Sequence, residues 1–292
     1  MNLIFIHKSD SWYLSYALKQ AIKSNPNANI YLIGDTSNSH HKNIHHHLIT
    51  DYSNNANSFA AIYKHFSKAN HDYELFCIQR WFILQEFMIK NGIEDALLLD
   101  TDVLIFLDVE WFIKNITKDF QLTRGHNGSM GFVYWKKLSY LTCFCNFVME
   151  LYSQNESITI LRKAYEDFVT VSNVGGISDM TLLDKYIEIH PNSLFNIEIP
   201  PLNGQAFVTA FDSPVFRLNK KGFVDISWVK RIPYVTTIEN ERVAVIGIHC
   251  YGLQKKYLRK LYQGKHKILC RIVFYWKESY LKVLADILRR RK

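Results

Sequence analysis

A short apolar run that ends in two carboxylates constrains the fold of this chain most strongly. Ala96–Leu99 is apolar and has the length of a strand covered on both faces, as in a parallel sheet. Asp100 and Asp102 follow directly, and residues 103–106 continue the apolar run. Acidic side chains are rarely enclosed in such surroundings unless they are paired or bound to a metal ion. The run therefore predicts an α/β fold with both acids at the carboxyl end of a buried strand, where ligands of open sheets bind.

The spacing of the two acids suits a hard divalent cation. In extended backbone, side chains two residues apart leave the same face, so Asp100 and Asp102 can reach one ion or its bound water. A diphosphate would complete the coordination sphere. A D-x-D pattern also occurs by chance in solvated turns and helix caps, and the apolar flanks favour the metal site here.

The N-terminal residues have the pattern of a nucleotide-binding half. Residues 3–6 and 30–33 predict two strands, with an amphipathic helix between them over residues 12–24. The glycine-rich fingerprint of dinucleotide-binding folds is absent, so an NAD site is not expected, whereas a mononucleotide site and a nucleotide-sugar site both remain open.

A polar segment, residues 36–58, follows this half. A metal site is one interpretation of its histidines, but neighbouring histidines in a strand point to opposite faces. We therefore expect a solvated loop with a short edge strand there. The histidines of this segment are His40, His41, His45, His46 and His47.

Two further segments hold candidate site residues. Apolar residues recur at helical spacing over residues 73–91, and the sequence leaves open whether Arg80 on this helix is a surface charge or points toward the carboxylates. Gly175 and Gly176 lead into a predicted N-cap at Ser178, which places Asp179 in the first turn of a helix. Asp179 is then either a partner of the helix dipole or a catalytic or sugar-binding group.

A third segment combines a histidine, a glycine and a lysine. The apolar run of residues 243–248 ends at His249, and Gly252 and Lys255 follow at intervals of three. This places an imidazole at the end of a strand, a glycine in the turn and a lysine at the start of a helix. The arrangement suits a metal ion and a phosphate together.

With Asp100-Thr101-Asp102 and His249-x-x-Gly252-x-x-Lys255 in this order, the chain resembles the nucleotide-sugar-dependent glycosyltransferases of GT-A fold. It is most similar to family eight, which includes glycogenin and the bacterial lipooligosaccharide galactosyltransferases. The resemblance covers about residues 1–260. It implies a Rossmann-like nucleotide-binding half fused to an acceptor-binding half with a mixed sheet, followed by basic C-terminal helices.

The resemblance also assigns roles to individual residues. The implied metal ligands are Asp100, Asp102 and His249. The implied donor-binding residues are Lys8, Arg80, Asp100, Gly252 and Lys255. The candidate catalytic residues are Arg80, from the resemblance, and Asp179, from its place in the first turn of a helix after a glycine-rich loop. The expected cofactor is Mn²⁺ or Mg²⁺, and the imidazole favours Mn²⁺. The chain departs from the family where Lys256-Tyr257 replaces the usual Pro-Trp and in the segment from Gly175 to Met180.

The resemblance implies a metal-assisted hexosyltransferase that uses a nucleotide diphosphate sugar, preferably a UDP-sugar, in bacterial surface polysaccharide synthesis. The acceptor would be a glycan or a lipid-linked glycan. Family eight implies retention of the anomeric configuration, whereas Asp179 acting as a general base would favour inversion. The alternatives are a sugar nucleotidyltransferase, for which no N-terminal glycine-rich phosphate loop is present, and a nucleic-acid-binding protein. The latter leaves both motifs unexplained, so no nucleic-acid partner is expected.

Charge is concentrated at the C-terminal end of the chain. The net charge is +8 over 292 residues, yet residues 255–292 carry 13 basic and two acidic side chains, a net of +11. We expect residues 1–264 to form the glycosyltransferase domain and residues 265–292 a basic amphipathic extension. The extension either packs on the body or attaches to an anionic membrane. Its apolar residues at helical spacing are Leu269, Ile272, Val273, Trp276, Tyr280, Leu284, Ile287 and Leu288.

The cellular location is predicted from the cysteines and from hydropathy. The five cysteines form no C-x-x-C pair, and their odd number argues against a disulfide framework. No signal peptide and no apolar run of membrane-spanning length is visible. We therefore expect a cytoplasmic protein held peripherally on the inner face of the cell membrane.

Overall fold

The structure is a computed structural model that describes residues 1–172, 175–264 and 266–289. The strands in these ranges are β1 Asn2–Ile6, β2 Asn29–Gly34, β3 His45–Leu48, β4 Ala96–Leu99, β5 Val103–Ile105, β6 Leu122–Arg124, β7 Phe132–Trp135, β8 Leu194–Asn196, β9 Gln205–Val208, β10 Ser227–Val229, β11 Ile232–Thr236 and β12 Arg242–His249. The α-helices are α1 Leu14–Ser24, α2 Asn54–Ile62, α3 His71–Lys90, α4 Val109–Lys114, α5 Leu138–Ser153, α6 Asn155–Ser172, α7 Asp179–Ile189, α8 Leu258–Leu261 and α9 Lys267–Arg289.

The larger sheet has the nucleotide-binding arrangement expected from the sequence. Within the described ranges it has seven strands in the order β3-β2-β1-β4-β7-β6-β8. Strands β3, β2, β1 and β4 are parallel, whereas β7 runs antiparallel to β4. This is a Rossmann-like half that continues into a mixed sheet. The predicted fold class is therefore confirmed.

Both faces of the central strand β4 are covered, as its unbroken apolar run predicts. Leu97 and Leu99 belong to a core cluster with side chains of α1 and α4, whereas Leu98 packs with side chains of α3 and α5. Each of these leucines is 1% exposed. Burying a leucine stabilises a fold by about 1.5–3 kcal/mol, so this strand is a rigid support for the residues that follow it.

A smaller sheet joins the two sequence motifs. Its strands lie in the order β10-β11-β12-β5, and β9 pairs with β12 outside this path. Because β12 runs antiparallel to β5, His249 stands opposite Val103. The Cys250 amide also donates a hydrogen bond to the Asp102 carbonyl, at 3.0 Å. The pairing of these strands brings the histidine motif against the D-x-D segment.

The chain turns between Asp100 and Asp102 rather than continuing as one strand. β4 ends at Leu99 in the larger sheet, and β5 begins at Val103 in the smaller one. The Val103 amide donates to the Asp100 carbonyl at 3.2 Å, which closes the turn. The expectation of extended backbone through both acids was wrong. The apolar run forms one strand in each of the two sheets, and the acids lie in the turn that connects these strands.

The polar segment after β2 is more ordered than expected. The predicted edge strand is present as β3, which pairs with β2. The last part of the segment, however, begins helix α2, in which Ala56 and Phe59 are buried. The expectation of a solvated loop was wrong there. Two apolar residues on one turn are enough to hold a helix in place when α3 packs over them.

The basic tail forms helix α9. Most of the predicted apolar stripe faces solvent, whereas Val273 is half-buried. Ile268, Ile272 and Trp276 are 68%, 59% and 66% exposed, whereas Phe274 is buried against Tyr257. With about 100° of rotation per residue, Phe274 lies opposite Ile272 and Trp276. The apolar stripe therefore points away from the body. The last three predicted residues of the stripe lie outside the described side chains, namely Leu284, Ile287 and Leu288.

Helix α9 begins close to the predicted boundary at residue 264, and the division into two parts stays a prediction. None of the helices in the described ranges combines the length and the apolar character needed to span a membrane.

Candidate active site

A cavity of about 740 Å³ lies at the carboxyl end of β4. Its volume is within the usual range for small-molecule sites. The sequence-predicted residues that line it are Arg80, Asp100, Asp102, Asp179, His249, Gly252 and Lys255. Lys8 is not part of this lining, and its ammonium lies 4.1 Å from the centre of the Phe76 ring. The fold thus brings together all of the predicted site residues except Lys8.

Three of these side chains converge on one point. His249 Nε2 lies 3.1 Å from Asp102 Oδ1 and 3.7 Å from Asp100 Oδ2. One ligand atom from each of the three residues lies within 4.8 Å of the others. Two carboxylate oxygens and one imidazole nitrogen are a suitable donor set for Mn²⁺, so the residues fit the expected cation.

The backbone determines which nitrogen of His249 faces the carboxylates. His249 Nδ1 lies 3.1 Å from the Thr209 carbonyl oxygen, and because a carbonyl only accepts, Nδ1 carries the hydrogen. Nε2 then points to the acids with a lone pair for a cation when the ring is neutral. Gly131 makes room for this ring, since a Cβ at that position would lie 2.5 Å from Nδ1.

Each of the two acids pairs with a basic side chain. Arg80 donates from one terminal nitrogen to Asp100 and from the other to Asp179 Oδ2, the latter at 2.7 Å. Lys255 Nζ lies 3.3 Å from Asp102 Oδ2. The guanidinium of Arg80 therefore points toward the carboxylates, which resolves the alternatives that the sequence left open.

Burial and charge act in opposite directions on these groups. Burial lowers the pKa of His249, but the adjacent Asp102 carboxylate outweighs it and the pKa is raised overall. Burial raises the pKa of Asp102, and His249 and Lys255 reverse this, so the pKa is lowered overall. Each group thus favours the charged form of the other. A cation that binds here competes with a proton for Nε2 of His249.

Asp179 lies at the N-terminus of α7, as expected from the Ser178 cap, which accepts from the Thr181 amide. The carboxylate of Asp179 is buried, and its Oδ2 accepts hydrogen bonds from Arg80 and from the Trp81 indole at 3.3 Å. These contacts hold Arg80 toward the cavity. They favour a positioning role for Asp179 over that of an unpaired general base.

Sequence analysis missed Glu198 and Thr209, which support the histidine. Glu198 is fully buried and accepts from the Thr209 hydroxyl at 2.7 Å and from the His126 amide at 3.0 Å. Burial raises the pKa of Glu198. These bonds fix the segment whose carbonyl orients His249. The available signal was an acid enclosed between Ile197 and Ile199, the same kind of signal that singled out Asp100.

No protein-family model and no curated protein sequence matches the chain. Solved structures do match. Mouse xyloside xylosyltransferase 1, in its apo form, aligns with a TM-score of 0.50 at 10% identity, over 68% of this chain and 86% of that chain. An active-site mutant of LgtC aligns with a TM-score of 0.37 at 13% identity, over 64% of this chain and 70% of that chain. The bifunctional glycosyltransferase WbbM aligns with a TM-score of 0.48 at 10% identity, over 93% of this chain and 51% of that chain.

The likeness to the xylosyltransferase confirms the predicted GT-A fold. At this identity the likeness concerns the fold alone, since one fold hosts many functions. The function must therefore be argued from the cavity and its side chains.

Proposed function

We propose that this protein is a glycosyltransferase that moves a hexosyl unit from a nucleotide diphosphate sugar, preferably a UDP-sugar, to a glycan or lipid-linked glycan. The proposed setting is bacterial surface polysaccharide synthesis. The observation that carries the proposal is the convergence of Asp100, Asp102 and His249 in one cavity of a GT-A fold. Enclosed acids with a correctly oriented imidazole are costly to assemble without a cation to bind.

Each side chain has a distinct role in this proposal. Asp100, Asp102 and His249 would hold Mn²⁺ or Mg²⁺, whose charge stabilises the departing diphosphate. Lys255 pairs with Asp102 and is within reach of a diphosphate bound at the same ion. Gly252, with φ of +56°, provides the left-handed turn that leads from His249 to Lys255. Arg80, held by Asp179, adds positive charge beside Asp100.

Two other classes of protein have less support. A sugar nucleotidyltransferase would use paired acids and a divalent ion, but residues 7–13 between β1 and α1 contain no glycine for a phosphate loop. A nucleic-acid-binding protein would use the basic tail. It would have no need of the enclosed charged cluster, which is the most unusual feature of the molecule.

Hydrolysis of the donor over a panel of nucleotide sugars tests the proposed function. With Mn²⁺ present, we expect the protein to release a nucleoside diphosphate from one of them, because the cation stabilises that leaving group. Excess chelator should reduce the rate to background, and added Mn²⁺ should restore it. Full activity in chelator would contradict the metal site, and synthesis of nucleotide sugar with pyrophosphate release would indicate the nucleotidyltransferase.

Mn²⁺ binding should strengthen as the pH rises. The pKa of His249 is raised above its ordinary 6.5, so a proton must leave the ring before the ion binds. Below that raised pKa the apparent affinity should increase by about tenfold per pH unit, and above it the profile should level off. In the metal-free protein, the contribution of His249 to the free energy of unfolding changes with pH in the opposite direction. The pairing of protonated His249 stabilises the fold at low pH, and this stabilisation is lost as the pH rises through the raised pKa.

Isothermal titration calorimetry between about pH 5.5 and 8.5 measures this profile. His249→Gln removes the titrating ring and should bind Mn²⁺ more weakly with a flatter profile. His126→Gln is the matched control, since His126 lines the same cavity outside the cluster. An unchanged slope in His249→Gln would show that another group carries the pH dependence.

We also propose that α9 attaches the protein to the inner, anionic face of the cell membrane, where a lipid-linked acceptor would be presented. Ile272 and Trp276 face solvent, and the C-terminal 38 residues carry a net charge of +11. Each basic residue near an anionic leaflet contributes about 1 kcal/mol, and the apolar side chains add interfacial burial. Basic charge and exposed apolar surface in the same C-terminal region favour a lipid surface over solvent.

Vesicle binding tests this attachment. The double substitution Ile272→Ser and Trp276→Ser should weaken binding to anionic vesicles by about tenfold or more, because it removes apolar surface that would enter the membrane. Donor hydrolysis should not change. The matched control is Ile160→Ser and Trp111→Ser, which removes exposed residues of the same types from α6 and α4. Equal vesicle binding by the two double variants would refute the attachment. Binding by a chain truncated after residue 264 that is as tight as binding by the full chain would also refute it.

A further inference from the structure

A second group of metal-ligating side chains lies outside the candidate active site. It lines a cavity of about 830 Å³ that is formed by α1, the segment after β2 and the segment before α9. The group consists of Asp10, His40 and His41. One ligand atom from each of them lies within 4.8 Å of the others. The described residues contain one other group of this kind, the Asp100, Asp102 and His249 cluster.

The carboxylate of Asp10 faces both imidazoles. His41 Nε2 lies 3.1 Å from Asp10 Oδ1, and His40 Nε2 lies 3.7 Å from Asp10 Oδ2. The centroids of the two rings are 4.4 Å apart. Both rings thus direct the same nitrogen to one carboxylate. The side chain of His41 is enclosed, whereas that of His40 is exposed, so the group is open on one side.

Hydrogen bonds hold this arrangement in place without an ion. His40 Nδ1 donates to the Ser37 carbonyl at 3.2 Å, which leaves a lone pair on Nε2. Asp35 accepts from the amides of Ser37 and Ser9, and Asn38 Nδ2 donates to the Ser9 carbonyl at 2.9 Å. The loop that contains the histidines is therefore fixed to the loop that contains Asp10. The ligand set is organised before any ion binds.

The argument from sequence against a metal site in this segment does not apply to these two histidines. That argument assumed that they lie in a strand, where neighbours point to opposite faces. The strand of this segment is His45–Leu48, and it begins after His40 and His41. The two rings lie in the turn before it, on the same side as Asp10.

We propose that Asp10, His40 and His41 form a zinc site that is separate from the candidate active site. Two imidazole nitrogens and one carboxylate oxygen are a three-residue set that binds Zn²⁺ and leaves a fourth position open. Imidazole ligands favour Zn²⁺ over Mg²⁺ and Ca²⁺, which prefer oxygen. The open position faces a cavity whose wall includes Lys19 and Lys42, so water or an anionic group completes the tetrahedron.

A bound ion would cross-link the loops that follow β1 and β2. Both loops border the carboxyl edge of the parallel strands, which is the edge where nucleotides bind in sheets of this kind. An ion that binds the native loops and not the unfolded chain raises stability as its concentration exceeds its dissociation constant. The site therefore acts as a clip on the nucleotide-binding half.

Zinc binding by the full chain tests the proposal. The starting protein carries Asp102→Asn and His249→Gln, which disable the other cluster. We expect it to bind one equivalent of Zn²⁺ in competition with a chromogenic chelator. Adding His40→Gln and His41→Gln should weaken this binding by at least about 100-fold, since two of three ligands are lost. Co²⁺ at the same site should give the visible absorption of a four-coordinate ion, and that absorption should disappear in the variant.

The controls separate loss of the site from loss of the fold. His45→Gln with His71→Gln removes two exposed histidines of the same chain that lie outside the cluster and should leave zinc binding unchanged. Zinc should raise the unfolding temperature of the starting and control proteins and not that of the His40 and His41 variant. If the starting protein does not fold, the natural chain is titrated instead. It should bind two equivalents of Zn²⁺, and the natural chain with only His40→Gln and His41→Gln should bind one. Undiminished zinc binding in the His40 and His41 variant, or no binding at micromolar zinc, overturns the proposal.

Discussion

Replacing Asp102 by asparagine is expected to reduce metal-dependent turnover by about a thousandfold or more while the protein stays folded. Asp102 is 7% exposed and contacts both His249 and Lys255. An amide of the same shape keeps the packing but supplies no negative charge to the cation or to these two basic groups. Because His249 can release its proton, the cost in free energy of unfolding should stay near 1–3 kcal/mol, about the cost of an unsatisfied buried group.

Donor hydrolysis with saturating Mn²⁺ measures the loss of turnover, and circular dichroism checks the fold. Asp212→Asn is the matched control for metal affinity, since Asp212 lines the same cavity but accepts from the Tyr251 hydroxyl at 2.8 Å instead of joining the cluster. It should bind Mn²⁺ as the natural protein does. Turnover by Asp102→Asn within about tenfold of the natural rate would exclude Asp102 as a ligand on which catalysis depends.

Replacing Arg80 by leucine is expected to have the largest effect on stability. The side chains of Arg80 and Asp179 are 14% and 7% exposed, and that of Asp100 is 25% exposed. The substitution leaves two largely enclosed carboxylates without their shared cation. Removing one partner of a buried ion pair costs about 3–5 kcal/mol in free energy of unfolding, because the remaining charge is uncompensated. Activity should fall as well, since Arg80 supplies positive charge beside the metal cluster.

A series of variants identifies the cause of this loss. Arg80→Lys keeps the charge but has one nitrogen in place of the guanidinium fork, so it should retain part of the stability. Adding Asp179→Asn to Arg80→Leu removes one uncompensated charge and should recover stability without recovering activity. Arg242→Leu is the control at a surface position, where the guanidinium stacks on Tyr234. Urea denaturation in chelator measures all four proteins. Equal losses for Arg80→Leu and Arg242→Leu would show that the buried pairs contribute little.

Local patterns were enough to predict the main elements of the nucleotide-binding half. The strand at Ala96–Leu99 and the helix that carries Arg80 follow from apolar spacing, which records burial along a short stretch of chain. The Ser178 cap was found because a capping side chain acts within a few residues of itself. Local patterns failed where neighbours decide the outcome. Helix α2 begins with polar residues, and its buried Ala56 and Phe59 depend on α3 to cover them.

By itself, the sequence identified most of the residues that the fold brings together in the candidate active site. Acids such as Asp100 and Asp102 inside an apolar run can only be stable when paired or bound to a cation, and this requirement is readable without coordinates. Only the tertiary structure decided which groups meet. The pairing of β5 with β12 sets His249 against Asp102, and the turn after β2 sets His40 beside Asp10. Such contacts depend on strand register and loop geometry between distant segments, which no local spacing encodes.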